Sequence, residues 1–332
     1  MRTSMKLYQK YLVLLLVLLI ALSIYFYMQN QKEYVNRVHA VLINLLNKEI
    51  ADEKAKAFNF AFALSQNETL KSCIKTKNKM QGYRILQEYM QALESFSGSQ
   101  IHAQILTKDY IIFARSWDNR DAGLNVKKYR PDLQEMKKTK KPHLSFEAAR
   151  KLVLIASIPI ISDNEVIGFI EVIRRFTSLE EYFKKYDINL IALLDSKYEN
   201  QAVLLSKHPR IENMIVANDG ANVSQVAYLK TVGISKLLNQ GKLEGKNHFY
   251  FAQSILNNDG EQIAYFVLVI SKQKLKLFSA FESELDSFFT YARKDLYYSI
   301  LKKSSDTGKF SCLLQEEMHN ENNTKISRGK IQ

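Results

Sequence analysis

The chain has 332 residues, 47 Lys and Arg against 34 Asp and Glu, and a formal net charge of +13. Its 2 cysteines exclude a disulfide-stapled scaffold, and 4 prolines, 11 glycines and 46% hydrophobic residues describe a globular protein. The charge would point to nucleic acid only if the chain were cytosolic.

From Tyr11 to Met28 the sequence reads YLVLLLVLLIALSIYFYM, with no charge. A helix rising about 1.5 Å per residue nearly spans a hydrocarbon core of about 30 Å with such a run, and it satisfies its own backbone polar groups there. Tyr8, Tyr11, Tyr25 and Tyr27 stand near the two ends, the level that amphipathic rings favour. A cleaved signal peptide has an apolar core of about 7–15 residues followed by small residues. This run is longer and passes into Met28-Gln29-Asn30-Gln31-Lys32, so an uncleaved single anchor is expected. Arg2, Lys6 and Lys10 precede it without an acid, whereas Glu33 accompanies Lys32 and Arg37 after it. The positive-inside preference then places residues 1–10 in the cytoplasm and the bulk of the chain outside the inner membrane. On that side the basic surface meets solvent, anionic ligands or lipid head groups, and no nucleic-acid partner is expected.

Residues 29–66 contain no proline or glycine, and Val35, Val38, Val41, Leu42, Leu45 and Leu46 recur at helical spacing, which predicts a long stalk helix. A second helix is predicted over Met80 to Phe96, ended by Gly98. Strands follow at Ile101 to Leu106, Tyr110 to Ser116, Pro142 to Glu147, Lys151 to Ile161 and Glu165 to Val172, with a helix at Tyr129 to Thr139 and a tight turn at Asp163-Asn164. Residues 67–177 thus read as an α+β unit around an antiparallel sheet. The pattern restarts over residues 178–271. A helix is expected at Ser178 to Tyr186, and strands at Asn189 to Leu194, Gln201 to Leu205, His248 to Ile255 and Gln262 to Ile270. Asn257-Asn258-Asp259-Gly260 predicts a hairpin between the last two. A closing helix over 272–301 and a polar tail over 302–332 complete the chain. A bridge between Cys73 and Cys312 is not favoured, because Cys312 falls in that tail.

The order of elements, together with four short motifs, resembles the double Cache sensor domains, PAS-like modules on the outside of bacterial chemoreceptors, sensor kinases and diguanylate cyclases. The motifs are Arg115-Ser116-Trp117, Arg130, Phe146-Glu147-Ala148-Ala149-Arg150 and Ile167-Gly168-Phe169-Ile170-Glu171. Ala149 stands where relatives commonly have glycine. The resemblance implies two tandem antiparallel-sheet units on a long N-terminal helix, the first unit membrane-distal and the second membrane-proximal. It also implies a pocket in the distal unit, bounded by the segment that opens at Phe113 and ends at Arg130.

Trp117 and Tyr129 are the candidate aromatic walls, and Arg115, Arg130 and Arg150 the candidate forks for a carboxylate or phosphate through two parallel hydrogen bonds. Trp117 is equally well read as a packing residue under the loop. Glu147 and Glu171 are expected to pair with arginines, because an unpaired buried charge is costly; Arg150 with Glu147 is the expected structural pair.

No metal-ligand spacing, nucleophile elbow or phosphate loop is present in the sequence, so no enzyme activity, metal or cofactor is expected. The resulting expectation is an anchored sensor for a small anionic or zwitterionic molecule. By the resemblance it forms a homodimer through the long helices, and it signals through a separate protein. The alternatives are a periplasmic scaffold that kept the fold without ligand binding, and a truncated chemoreceptor or sensor kinase.

Overall fold

A computed structural model describes residues 2–97, 101–118, 122–128 and 130–279. Met1–Leu275 forms one compact unit. Tyr129, the expected closing helix beyond Ser279 and the polar tail with Cys312 lie outside the described residues. Cys73 is a buried free thiol.

The first helix, α1 (Arg2–Ser65), runs unbroken from the apolar segment into the stalk. Over Tyr11–Met28 the side chains are exposed, and this is the one helix among the described residues long and apolar enough to cross a membrane. From Tyr34 onward the burial switches to one face: Val38, Leu42, Leu45, Leu46, Ala57 and Ala61 turn inward at helical spacing. Two further helices follow, α2 (Glu68–Lys75) and α3 (Lys79–Ser97). Asn67 caps α2 by accepting a hydrogen bond from the Leu70 N–H at 2.9 Å.

The first sheet is formed by β1 (Ile101–Thr107), β2 (Ile112–Arg115), β3 (His143–Ala148), β4 (Leu152–Ser162) and β5 (Glu165–Arg174), in the order β2-β1-β5-β4-β3 and antiparallel throughout. Between β2 and β3 lies α4 (Pro131–Thr139). One face of the sheet packs on α1 and α3. There the buried Arg174 guanidinium grips Glu53 of α1, with Nε 2.7 Å and Nη2 2.6 Å from Oε2. On the opposite face Leu133 and Met136 of α4 close over Leu106, Ile112 and Phe169. Gly168 is needed where β1 crosses β5, since a Cβ there would stand 2.5 Å from the Leu106 carbonyl oxygen.

A helix, α5 (Thr177–Lys184), leads to the second sheet. It comprises β6 (Asn189–Asp195), β7 (Arg210–Ile211), β8 (Met214–Val216), β9 (Lys242–Glu244), β10 (His248–Leu256) and β11 (Gln262–Ser271), in the order β7-β8-β6-β11-β10-β9. With the edge strand β7 set aside, this repeats the order of the first sheet. Between β8 and β9, α6 (Val223–Val232) and α7 (Ser235–Gln240) cover one face. The short α8 (Lys272–Ser279) follows β11.

Gln201–Leu205, expected as a strand, is a loop ending in a 3₁₀ turn at Val203–Leu205. Ala202 and Leu205 are buried whereas Val203 and Leu204 are exposed, a spacing of three rather than the alternation of a strand.

The sheets meet at an aromatic joint. Phe146 from β3, Phe176 from the connection and Phe266 from β11 pack mutually, with ring centroids 4.9 to 6.0 Å apart. The turn after β3 also docks on the second sheet's loops: the Leu204 N–H donates to the Arg150 carbonyl at 3.0 Å, and Lys151 pairs with Asp219 at 3.2 Å.

Candidate functional site

In a strand, side chains alternate between the two faces, and residues paired across strands share a face. The register therefore defines a row across the first sheet. Arg115 of β2 stands opposite Gln104 of β1, Gln104 opposite Glu171 of β5, Glu171 opposite Ser157 of β4, and Ser157 opposite His143 of β3. One polar residue from each of five strands thus lies in a line on the face that α4 covers.

Pro131 opens α4 with its fixed φ, and the preceding Arg130 takes a non-helical conformation with φ −133 and ψ 69. This holds the Arg130 side chain over the row, where it is the hub. Nη1 is 2.5 Å from Glu171 Oε1, Nη2 donates to Ser157 Oγ at 3.1 Å, and Nε and Nη2 clasp the two Asp132 oxygens at 2.9 and 2.6 Å. Glu147 Oε2 lies 3.6 Å from Nε. Burial by itself would lower the pKa of this guanidinium; Glu171, Glu147 and Asp132 more than offset it, and the net shift is upward. Asp132 is also buried, which raises its pKa, but the Arg130 hydrogen bonds and charge bring it below the usual carboxylate range.

The row continues on both sides of Glu171. Ser157 donates to Glu171 Oε1 at 3.0 Å, and the Gln104 carboxamide donates a short bond to Glu171 Oε2. Gln104 in turn accepts from Arg115 Nε at 3.1 Å. At that end the Arg115 guanidinium lies 5.0 Å from the centre of the Trp117 ring, a cation–π contact, and the ring's other neighbour is His102 at 4.9 Å. Burial and the nearby Arg175 push His102 down to about 4. At the opposite end His143 Nε2 donates to Ser145 Oγ at 2.9 Å, and Ser145 donates to Glu147 Oε1 at 2.9 Å. Burial lowers the His143 pKa, but the Glu147 hydrogen bond and the Asp132 charge prevail, so it is raised.

The structure brings together Arg115, Trp117, Arg130, Glu147 and Glu171 among the residues expected from sequence. Arg150 is placed elsewhere. It lies exposed in the turn beyond the end of β3. Glu147, expected to pair with Arg150, takes Arg130, His143 and Ser145, because it faces the row while Arg150 follows the strand's end. Gln104, Asp132, His143 and Ser157 were not anticipated. For Gln104 and Ser157 the available signal was a hydrogen-bonding residue in the middle of a largely apolar strand, as in IHAQILT and LVLIASIPIIS; Asp132 in α4 and His143 in the half-polar β3 carried none.

Asp132, His143 and Glu147 offer one donor atom each within 4.8 Å of one another, a set able to hold a divalent ion. Here those side chains are engaged by Arg130 and Ser145.

Residues 35–275 match the family model dCache_3, described as the double sensory domain of two-component sensor kinases. The chain belongs to the double Cache family. No curated protein sequence matches it. Solved structures that align with this chain include the sensor domain of the Vibrio cholerae histidine kinase DctB, at 12% identity and TM-score 0.45, covering 72% of this chain and 98% of that one. A domain of a putative sensory box/GGDEF family protein from Vibrio parahaemolyticus aligns at 10% identity and TM-score 0.47, over 74% and 98% of the two chains. The ligand-binding domain of the Campylobacter jejuni chemoreceptor Tlp3, solved with 4-methylisoleucine, aligns at 14% and 0.44, over 74% and 93%. Double Cache domains are sensory rather than catalytic modules, and the five-strand row lies within the matched segment.

Proposed function

We propose that this chain is a membrane-anchored, extracytoplasmic sensor whose first Cache unit, residues 67–177, binds a small zwitterion at the polar row. Its occupancy is passed to a separate signalling protein through the long helix, which pairs with that of a second copy. The observation that carries the ligand class is the division of charge along the row. Around Arg130 three carboxylates, from Asp132, Glu147 and Glu171, share one guanidinium, so that end favours an ammonium group. The Arg115 end lies against Trp117 and favours a carboxylate beside an apolar wall. In this reading Tyr129 adjoins Arg130 as a further wall, and Arg150 stands at the margin. Residues 178–271 form the proximal unit, and the apolar run 11–28 is the anchor with residues 1–10 in the cytoplasm.

The test is thermal melting of the detergent-solubilised full chain with free amino acids, the matching carboxylates and the matching amines. A ligand at 100 times its Kd, bound only to the folded state, adds about 2.7 kcal/mol. Amino acids are expected to stabilise the protein where carboxylates or amines alone do not. Trp117→Ala and Arg115→Ala are expected to remove that shift while the unliganded protein still melts cooperatively. Failure of every zwitterion to shift the wild type would return the chain to the scaffold reading. For the orientation, Lys127→Cys is expected to label from outside in intact spheroplasts; labelling only after lysis would reverse it.

A further inference from the structure

The second sheet has no polar row, yet a cleft of about 380 Å³ opens beside it, between the β7–β8 edge and α6. Its floor is apolar and includes Val216 and Val226. Its rim is basic: Lys207 and Lys230 border it from opposite elements, the loop before β7 and the last turn of α6. His208 completes the rim and is fixed in place. Its Nδ1 lies 2.9 Å from the Val216 carbonyl, which can only accept, so this nitrogen carries a proton and Nε2 is directed to Asp219 at 3.6 Å. Asp219 is the acid in the lining, and it is already matched by Lys151 at 3.2 Å from the turn after β3. Among the described residues no acidic partner falls to Lys207 or Lys230, so the cleft carries a surplus of positive charge over a hydrophobic bed.

We propose that this cleft is a second ligand site, independent of the polar row, for a small amphiphilic carboxylate. The apolar tail would lie on Val216 and Val226, and the carboxylate would take charge-assisted hydrogen bonds from Lys207 and Lys230. Two features fix the class. The buried amide in the lining, Asn218, is already bonded to Ala192, Glu180 and Leu190, which leaves the apolar side chains to receive a ligand, and the rim offers cations without the compensating acids that surround Arg130. Because Asp219 also holds Lys151 of the first sheet, a ligand here would sit at the contact between the two sheets.

The experiment is isothermal titration of the full chain in detergent with hexanoate, and with hexanamide as its uncharged counterpart. Hexanoate is expected to bind at one saturable site and hexanamide at least tenfold more weakly. The double variant K207A/K230A, whose changes are at exposed positions, is expected to weaken hexanoate at least tenfold, and K207R/K230R to restore it. Val226→Glu, which puts a like charge into the floor, is expected to abolish binding. The proposal is overturned if hexanoate shows no saturable binding, if hexanamide binds equally well, or if the double alanine variant binds as the wild type does.

Discussion

With the edge strand β7 set aside the two sheets have the same strand order, and they differ in what lies on the face opposite α1. In the first sheet that face carries Arg115, Gln104, Glu171, Ser157 and His143 across all five strands, with Arg130 above them. In the second, the face under α6 and α7 is filled by Ile191, Leu193, Val267 and Val269, with Tyr250 stacked on Tyr228 at 5.5 Å. Taking charged groups out of water is expensive, and a packed apolar layer holds a sheet and a helix together at least as well. The polar row is therefore a poor way to stabilise a sheet that its neighbour stabilises without one. One topology thus serves two purposes, and the side chains on one face decide which.

The contrast can be broken by single substitutions. Arg130→Ala leaves Glu171, Glu147 and Asp132 without their shared cation, and is expected to cost about 3–5 kcal/mol in urea unfolding at neutral pH. A loss below about 1 kcal/mol would show that water already serves those carboxylates. In the second sheet, Leu193→Ala removes a fully buried side chain and is expected to cost about 2–5 kcal/mol by leaving a cavity. Ligand-induced stabilisation at the first sheet should survive that change once melts are compared with the variant's own baseline.

The sharpest test converts one sheet into the other. Arg130→Met combined with Glu171→Leu, Asp132→Asn and Glu147→Gln removes the hub charge together with all three carboxylates that share it. Exchanges that leave no partner charge behind are often neutral or stabilising by about 1–4 kcal/mol. The expected result is a folded protein that no longer responds to zwitterions. A quadruple variant that fails to fold would make the row structural.

The smallest expected effect is on pH dependence. The His143 pKa is raised in the folded state, so its contribution is complete below the unfolded value of about 6.5 and fades as pH rises through the folded value. His102 has the opposite sign. With its folded pKa near 4, the unfolded chain binds more protons between about pH 4 and 6.5, and stability falls as pH drops through that window. Melting temperatures should thus decline on both sides of about pH 6.5. His143→Gln should flatten the alkaline side and His102→Gln the acidic side. If either flattens the wrong side, the charge environment assigned to that ring is incorrect.

The hairpins β4–β5 and β10–β11 were legible in the sequence, because apolar strands are joined there by Asp163-Asn164 and Asn257 to Gly260. Both Asp163 and Asn164 adopt positive φ, at 51° and 62°, as such a turn requires. The short elements β7, β8 and β9 were not legible, since two or three residues carry no period. The site was half legible. Arg115, Trp117, Arg130, Glu147 and Glu171 stood out by type and motif, and the partner of each did not. Arg150 lies three residues from Glu147, yet Arg130, 17 residues before it in sequence, makes the pair.

By itself the sequence determined what depends on neighbours along the chain: the apolar run and its charged flanks, the stalk's helical period, and the alternating strands with their turns. Each is governed by local geometry and by transfer of side chains from water. Only the tertiary structure decided which polar residues meet. Strand register aligned Gln104, Glu171, Ser157 and His143, and the start of α4 at Pro131 lowered Arg130 onto them. Register is set by the packing of whole sheets against α1 and α4, and a slip of one residue would turn every member of the row to the other face. No single strand's residues contain that information, and it is the register that makes five separate polar residues a site.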